Sequence, residues 1–212
     1  MRIIISGAVA ALAVSLLGSC ATMSEDQCLA SAWGEQGYKD GAEGLTTSRL
    51  DDHAKACAKF GATPDVDAYG SARVDGLRSY CTPQRGFVEG REGDSYQGVC
   101  SPADEAEFLP AYHDGQLVHA AQDAMDSAES EARRLSDRVE RLDGRLDDAE
   151  RDLRKDGVTD EQKAALRDTI RDIRRDRERT RREADDAEVD VGEARRELWR
   201  IRSDLIPVYG DW

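Results

Sequence analysis

In this 212-residue chain Asp40, Asp75, Glu89 and Asp114 each stand immediately before a glycine. Two carboxyl groups about 5 to 9 Å apart are what glycan cleavage requires, one to protonate the leaving oxygen and one to attack or to activate water. Repetition of the acid-glycine pair supports a plainer account, in which each acid is solvated beside a glycine used for close packing. The three histidines, His53, His113 and His119, lack the spacing that puts two imidazoles on one helix face for zinc, and His119 reads as a surface residue. No serine occupies a G-x-S-x-G elbow and no GxxxxGK phosphate loop is present, so acyl transfer and nucleotide hydrolysis lack their usual marks. The five cysteines are Cys20, Cys28, Cys57, Cys81 and Cys100. None forms a C-x-x-C pair, which argues against a tetrahedral metal site. No metal and no cofactor is expected.

Cys20 differs from the other four by what precedes it. Met1-Arg2 carries one positive charge, and residues 3–17 form an apolar run that reaches the small pair Gly18-Ser19, the pattern of a signal peptide over 1–19. Fifteen helical residues cover about 22 Å, short of a hydrocarbon core about 30 Å thick, which disfavours a spanning helix. Leu17-Gly18-Ser19-Cys20 resembles the bacterial lipobox. The resemblance implies cleavage before Cys20 and acylation of its new N-terminal residue, and acyl chains at about 0.8 kcal/mol per buried methylene anchor a protein without a spanning helix. Ala21, by resemblance to the lipoprotein sorting rule, implies the outer membrane, facing the periplasm of a bacterial cell envelope. Lipidation also removes an odd thiol. Cys28, Cys57, Cys81 and Cys100 then suit two disulfides in an exported domain with a modest core.

The elements that must hold these residues divide into two kinds. Fourteen of the 18 glycines and all the cysteines lie at or before residue 115, whereas residues 116–206 hold 21 of the 30 basic and 26 of the 44 acidic residues. The chain therefore reads as a short tether (20–27), a Gly- and Cys-rich helical head (28–115), a long helical hairpin (116–206) and a tail (207–212). In the head, GYKDGAEG from Gly37 matches GFVEGREG from Gly86, with weaker copies ARVDG from Ala72 and AYHDG from Ala111. Small residues four apart share a helix face and let another backbone approach, so these are repeated packing signatures or an old internal duplication. Gly44 offers a helix stop and Thr46, Thr47 and Ser48 offer caps for a second helix. Folding 28–41 back on 47–59 places Cys28 opposite Cys57 and leaves Cys81 for Cys100. The other two connectivities of four cysteines stay open.

Trp33, Gly37, Asp40-Gly41, Gly44, Cys57, Tyr69-Gly70, Gly76-Leu77, Tyr80-Cys81-Thr82-Pro83, Gly86, Gly90, Gly93, Tyr96, Gly98-Val99-Cys100 and Phe108 together resemble a bacterial lipoprotein family known as a domain of unknown function, number 2799. The likeness spans most of 28–120 and implies no activity, ligand or catalytic residue.

Beyond the head, Val118, Ala121, Met125, Ala128, Ala132, Leu135, Val139, Leu142, Leu146, Ala149 and Leu153 alternate steps of three and four, a heptad seam. Lys155-Asp156-Gly157 stops that helix, and Thr159 with Gln162 opens the next through a capping box. The second seam runs from Leu166 through Ile170, Ile173, Ala184, Ala187, Val191, Ala194, Leu198 and Ile201 to Leu205, faltering at Arg177 and Thr180, and Pro207 ends it. Folded about the turn, Leu146 meets Ile173, Leu135 meets Ala184, Ala121 meets Leu198 and Val118 meets Ile201. Arg177 then falls opposite Leu142 and must carry its charge outward, toward an acid such as Asp143. Of the two aromatics of the tail, Trp212 or Tyr209 is expected to pack near Phe108 and Tyr112. The fold class is thus mainly α: a small disulfide-bonded helical head followed by a long antiparallel coiled-coil hairpin, which suits either a lone hairpin or a bundle with a second copy.

A net charge of −14 with no basic block interleaved with aromatics excludes a nucleic-acid partner. The expected function is that of a non-enzymatic envelope lipoprotein with a structural or protein-interaction role in the periplasm. Its partners are the membrane, through the lipid, and a periplasmic protein, through the stalk. The alternative is a cell-wall glycan hydrolase using the head carboxylates.

Overall fold

The computed structural model describes residues 22–212, so the signal peptide and the acylation of Cys20 fall on residues outside the described ones. Seven helices and no strand occur among the described residues: α1 (Glu25–Leu29), α2 (Trp33–Ala42), α3 (Arg49–Ala58), α4 (Val66–Tyr80), α5 (Pro83–Glu92), α6 (Pro102–Leu153) and α7 (Asp160–Tyr209). The chain forms two compact units, one up to Arg78 and one from Ser79 to Trp212. This division falls between 78 and 79, whereas the change in composition falls between 115 and 116. Glycine content does fall there, but no turn does, and α6 passes through it unbroken.

In the first unit, Cys28 and Cys57 form a disulfide with their Cα atoms 5.4 Å apart. Met23, Trp33 and Tyr69 pack around it, each 2% exposed or less, with Leu50, Phe60 and Ala62 at the margin. The pairing is as expected, but the helices that make it differ. The first helix breaks at Leu29, with Ser31 at φ 55°, so Cys28 sits on α1 and not on a helix continuous to position 41. The glycines of α2 face α4, not α3. A Cβ on Gly37 would stand 2.9 Å from the Tyr69 Cα, one on Gly41 3.0 Å from the Leu77 nitrogen, and one on Gly76 2.7 Å from the Ala42 nitrogen. Only hydrogen fits where the two backbones cross.

The expected tether over 20–27 is also corrected from Thr22 onward. Met23 is 1% exposed in the disulfide cluster, and Ser24 opens α1 with a capping box on Gln27. An apolar side chain next to the disulfide gains more from burial than a solvated linker gains from freedom.

The second unit begins with the disulfide Cys81–Cys100, Cα atoms 5.6 Å apart. Thr82 caps α5 ahead of Pro83, and Ser101 caps α6 ahead of Pro102, each side chain accepting from a backbone N–H three residues on. Helices α5 and α6 cross through a second glycine contact, with Gly86 against Phe108, Gly90 against Tyr112 and Gln116, and Gly115 against Phe87 and Arg91. The packing signatures read from the sequence are thus real in both units, and each unit carries its own disulfide.

Helices α6 and α7 form the hairpin in the expected register. Leu142, Leu146, Ala149, Ile170 and Ile173 make one layer group, Ala132, Leu135, Ala187 and Val191 another, and Val118, Ala121 and Leu198 a third. The turn follows the sequence: α6 ends at Leu153, Gly157 takes φ 81°, and Thr159 and Gln162 close the capping box. Arg177 reaches Asp143 at 3.1 Å with its side chain 30% exposed, as its place in the seam demands. Thr180, the next seam position, is fully buried and its hydroxyl has no partner. Pro207 does not end α7, which continues to Tyr209, so only Gly210, Asp211 and Trp212 lie beyond the helix. A proline deprives the last turn of one hydrogen bond, and here the aromatic docking described below holds that turn in place.

Candidate functional site

The acid of each acid-glycine pair lies about 100° around the helix from its glycine, at the flank of the glycine contact. Whether the acid meets water therefore depends on what covers that flank. On α2 the buried stripe is Trp33, Gln36, Gly37, Asp40 and Gly41, and on α5 it is Gly86, Phe87, Glu89 and Gly90. Asp40 is 1% exposed and Glu89 6% exposed, so the expectation of solvated acids is corrected for these two. Asp75 behaves as expected, with its side chain 60% exposed and paired to Arg78 at 3.0 Å. Asp114 accepts a hydrogen bond from the Tyr209 hydroxyl at 2.8 Å.

Asp40 is the centre of a buried polar network. The Tyr69 hydroxyl donates to its Oδ2 at 2.6 Å, His53 Nε2 reaches the same oxygen at 2.8 Å, and the Gln36 amide donates to Oδ1 at 2.8 Å. His53 is 0% exposed, and its Nδ1 meets the Thr22 hydroxyl at 2.7 Å. An ionised carboxylate only accepts, so His53 places a proton on Nε2 and turns Nδ1 to Thr22. Burial, then the hydrogen bond to Asp40, pushes the Tyr69 phenol well above the ordinary tyrosine range, which keeps it a donor. Hydroxyl, imidazole and carboxylate stand in the order of a nucleophile relay, but the imidazole is sealed from solvent and every described polar atom of Asp40 is already engaged.

Glu89 in the second unit is held by fewer groups. Tyr80 donates to its Oε2 at 3.2 Å and Arg85 pairs with Oε1 at 2.7 Å. Burial, then the Glu89 charge, raises the Tyr80 phenol far above its ordinary value. Tyr80 stacks on Phe108 with ring centres 5.4 Å apart, Tyr96 tilts against Phe108 at 4.7 Å, and the Tyr96 hydroxyl bridges Glu105 and the Cys100 amide. This aromatic layer abuts the Cys81–Cys100 disulfide in sequence and fixes the loop it closes.

The tail does not pack where expected. Phe108 is fully buried, with the rings of Tyr80, Tyr96 and Tyr112 against it. Tyr209 instead stacks on Phe87 at 4.2 Å and 6°, and Trp212 tilts against the same ring at 5.1 Å. The Arg91 and Arg202 guanidinium groups stand 5.5 and 4.9 Å from the Trp212 ring, and Arg202 also donates to its carbonyl at 2.7 Å. Burial and the hydrogen bond to Asp114 push the Tyr209 phenol up to about 12.

His119 bridges the Arg91 carbonyl and Asp123, half-exposed on α6. Among the described residues no group of three or more His, Cys, Asp or Glu side chains could hold a metal ion, and no helix is long and apolar enough to cross a membrane.

Residues 32–117 match a family model described as a protein of unknown function, DUF2799. The likeness read from the cysteine, glycine and aromatic order is therefore shown over that stretch. No curated protein and no solved structure matches the chain. The DUF2799 stretch contains Asp40, His53, Tyr69 and Glu89, both glycine contacts and the whole second disulfide, whereas Thr22, Cys28 and all of α7 lie outside it.

Sequence reading missed Gln36, His53 and Tyr69 as partners of Asp40, and Thr22 as the partner of His53. One signal was present. His53 precedes Cys57 by four residues, so any helix that turns Cys57 into a disulfide turns His53 inward as well, and a buried imidazole needs a polar partner.

Proposed function

We propose that the chain is a membrane-anchored, non-enzymatic lipoprotein of the bacterial envelope with a structural or protein-interaction role in the periplasm. The observation that carries this reading is the continuity of α6, which runs 52 residues from the disulfide-bonded layer at Pro102 into the hairpin at Leu153. A helix of that length spans about 78 Å, and a rod stiffened by an antiparallel partner suits the holding of two things apart or together better than it suits catalysis. The anchor rests on the lipobox-like Leu17-Gly18-Ser19-Cys20, with Ala21 favouring the outer membrane. The state of the head acids supports the non-enzymatic part. Asp40 and Glu89 are buried and engaged by tyrosine, histidine, glutamine and arginine, whereas a glycosidase needs its acid and its base open to a sugar.

Fractionation of cells producing the wild-type chain and Cys20→Ala tests the anchor. The wild type is expected in membranes and the variant as an unprocessed precursor or soluble protein; equal retention and processing would overturn it. Incubating purified protein with peptidoglycan tests the second part. No release of soluble fragments is expected, and release abolished by Glu89→Gln or Asp40→Asn would reinstate the hydrolase.

A further inference from the structure

We propose that the surface of the first unit around Thr22 is docked on the phospholipid headgroups of the membrane that anchors the chain, with no free linker between lipid and folded body. The inference rests on the reading of Cys20 as acylated. Its own support is the way three successive residues are fixed. The Thr22 hydroxyl is bonded to His53 at 2.7 Å, itself buried and locked on Asp40 at 2.8 Å. The Met23 side chain is 1% exposed in the disulfide cluster, with its sulfur 3.9 Å from the Cys57 sulfur. Ser24 and Gln27 exchange hydrogen bonds of 2.8 and 3.3 Å that start α1.

Covalent reach then decides the geometry. Two peptide steps separate Cys20 from Thr22, and at about 3.8 Å each they hold the two Cα atoms within about 8 Å. The glyceryl group of an acylated cysteine lies where acyl chains meet headgroups, and the polar layer above it is about 5 to 8 Å thick. Thr22 therefore stays within or at the outer edge of that layer, and α1 starts only three residues later, so the face of the first unit that carries Thr22 is held next to the headgroups. Leu29, 62% exposed on α1, gives this region an apolar side chain suited to an interface. Glu25 and Asp26, both exposed in the first turn of α1, match the ammonium of phosphatidylethanolamine rather than an anionic headgroup. The buried His53–Asp40 pair thus acts as the clasp that makes the anchor short. Neither Thr22 nor α1 falls in the DUF2799 stretch, which starts at residue 32.

The test uses the full chain, made in cells that process lipoproteins and checked by intact mass for acylation of Cys20. It is reconstituted in phosphatidylethanolamine-rich vesicles with a fluorophore attached through Asp26→azidophenylalanine and a nitroxide quencher on a fraction of the headgroups. Strong quenching is expected. Inserting about twelve Gly and Ser residues between Ala21 and Thr22 leaves the core intact and gives a linker with an r.m.s. length of about 19 Å, so quenching is expected to fall about five-fold or more. An acylated chain that is unquenched at position 26, or quenched equally with the insertion, overturns the docking and leaves the anchor standing. Energy transfer between copies in place of headgroup quenching assigns the face to a second copy and also overturns it. A chain without acyl groups overturns the anchor, and the docking with it.

Discussion

Asp40 shows how a single acid can be read correctly by type and wrongly by surroundings. Its carboxylate takes hydrogen bonds from Gln36, His53 and Tyr69 in a fully buried site. Removing the acceptor strands three donors, so Asp40→Ala is expected to cost about 3 to 5 kcal/mol in urea denaturation, and a loss under about 1 kcal/mol would show the network to be idle. Glycines divide in the same way, by neighbours rather than by type. A Cβ on Gly90 would enter the Tyr112 carbonyl and stand 2.9 Å from the Gln116 nitrogen, both backbone atoms that cannot yield alone. Gly90→Ala is expected to destabilise by about 1 to 3 kcal/mol. Gly144 lies on the same helix as those atoms with open space around it, so Gly144→Ala is expected to stabilise by about 0.5 to 1 kcal/mol through helix propensity alone. Melting temperatures that move in the same direction for both variants would contradict the packing described.

Helices carry the regularities that were easiest to foresee. The hairpin register follows from two heptad seams and a capped turn, because a seam slipped by one residue would put charges against leucines. Its weak layer is Arg177, tied to Asp143 at 3.1 Å at the flank of the seam. Arg177→Leu is expected to raise stability by about 1 kcal/mol, since an exposed ion pair contributes little and a leucine adds apolar burial. A drop in denaturation midpoint would mean that the ion pair, and not the seam, holds that layer. The end of α7 was harder to foresee, because Pro207 signals a stop and the fold overrides it. Tyr209, stacked on Phe87 and bonded to Asp114, has its phenol raised to about 12. Below about pH 10 the phenol is protonated in folded and unfolded chains alike, and the contribution of the tail is whole. Between about 10 and about 12 the unfolded chain ionises first, so that contribution declines as pH rises through the folded value. Tyr209→Phe is expected to lose this part of the alkaline destabilisation, measured by denaturant melts across that window.

Across the whole chain, each of the two units is stapled by one disulfide. Closing loops of 29 and 19 residues stabilises each unit by about 3 kcal/mol through the entropy of the unfolded chain. Reduction, or Cys28→Ser and Cys81→Ser separately, is expected to lower unfolding free energy by about that amount per bridge. Non-reducing peptide mapping that finds any other connectivity would overturn the arrangement. The sequence by itself determined the helical class, the even number of cysteines left to bridge, the small-residue contacts and the hairpin register. All of these depend on periodicity or parity, and periodicity is local. Only the tertiary structure decided that Asp40 and Glu89 are buried, that α2 packs on α4, that Thr22 and Met23 belong to a core, and that the tail lies on Phe87. Each depends on which element covers the flank of another, and residues 13 to 125 positions apart in the chain leave no local trace of that choice.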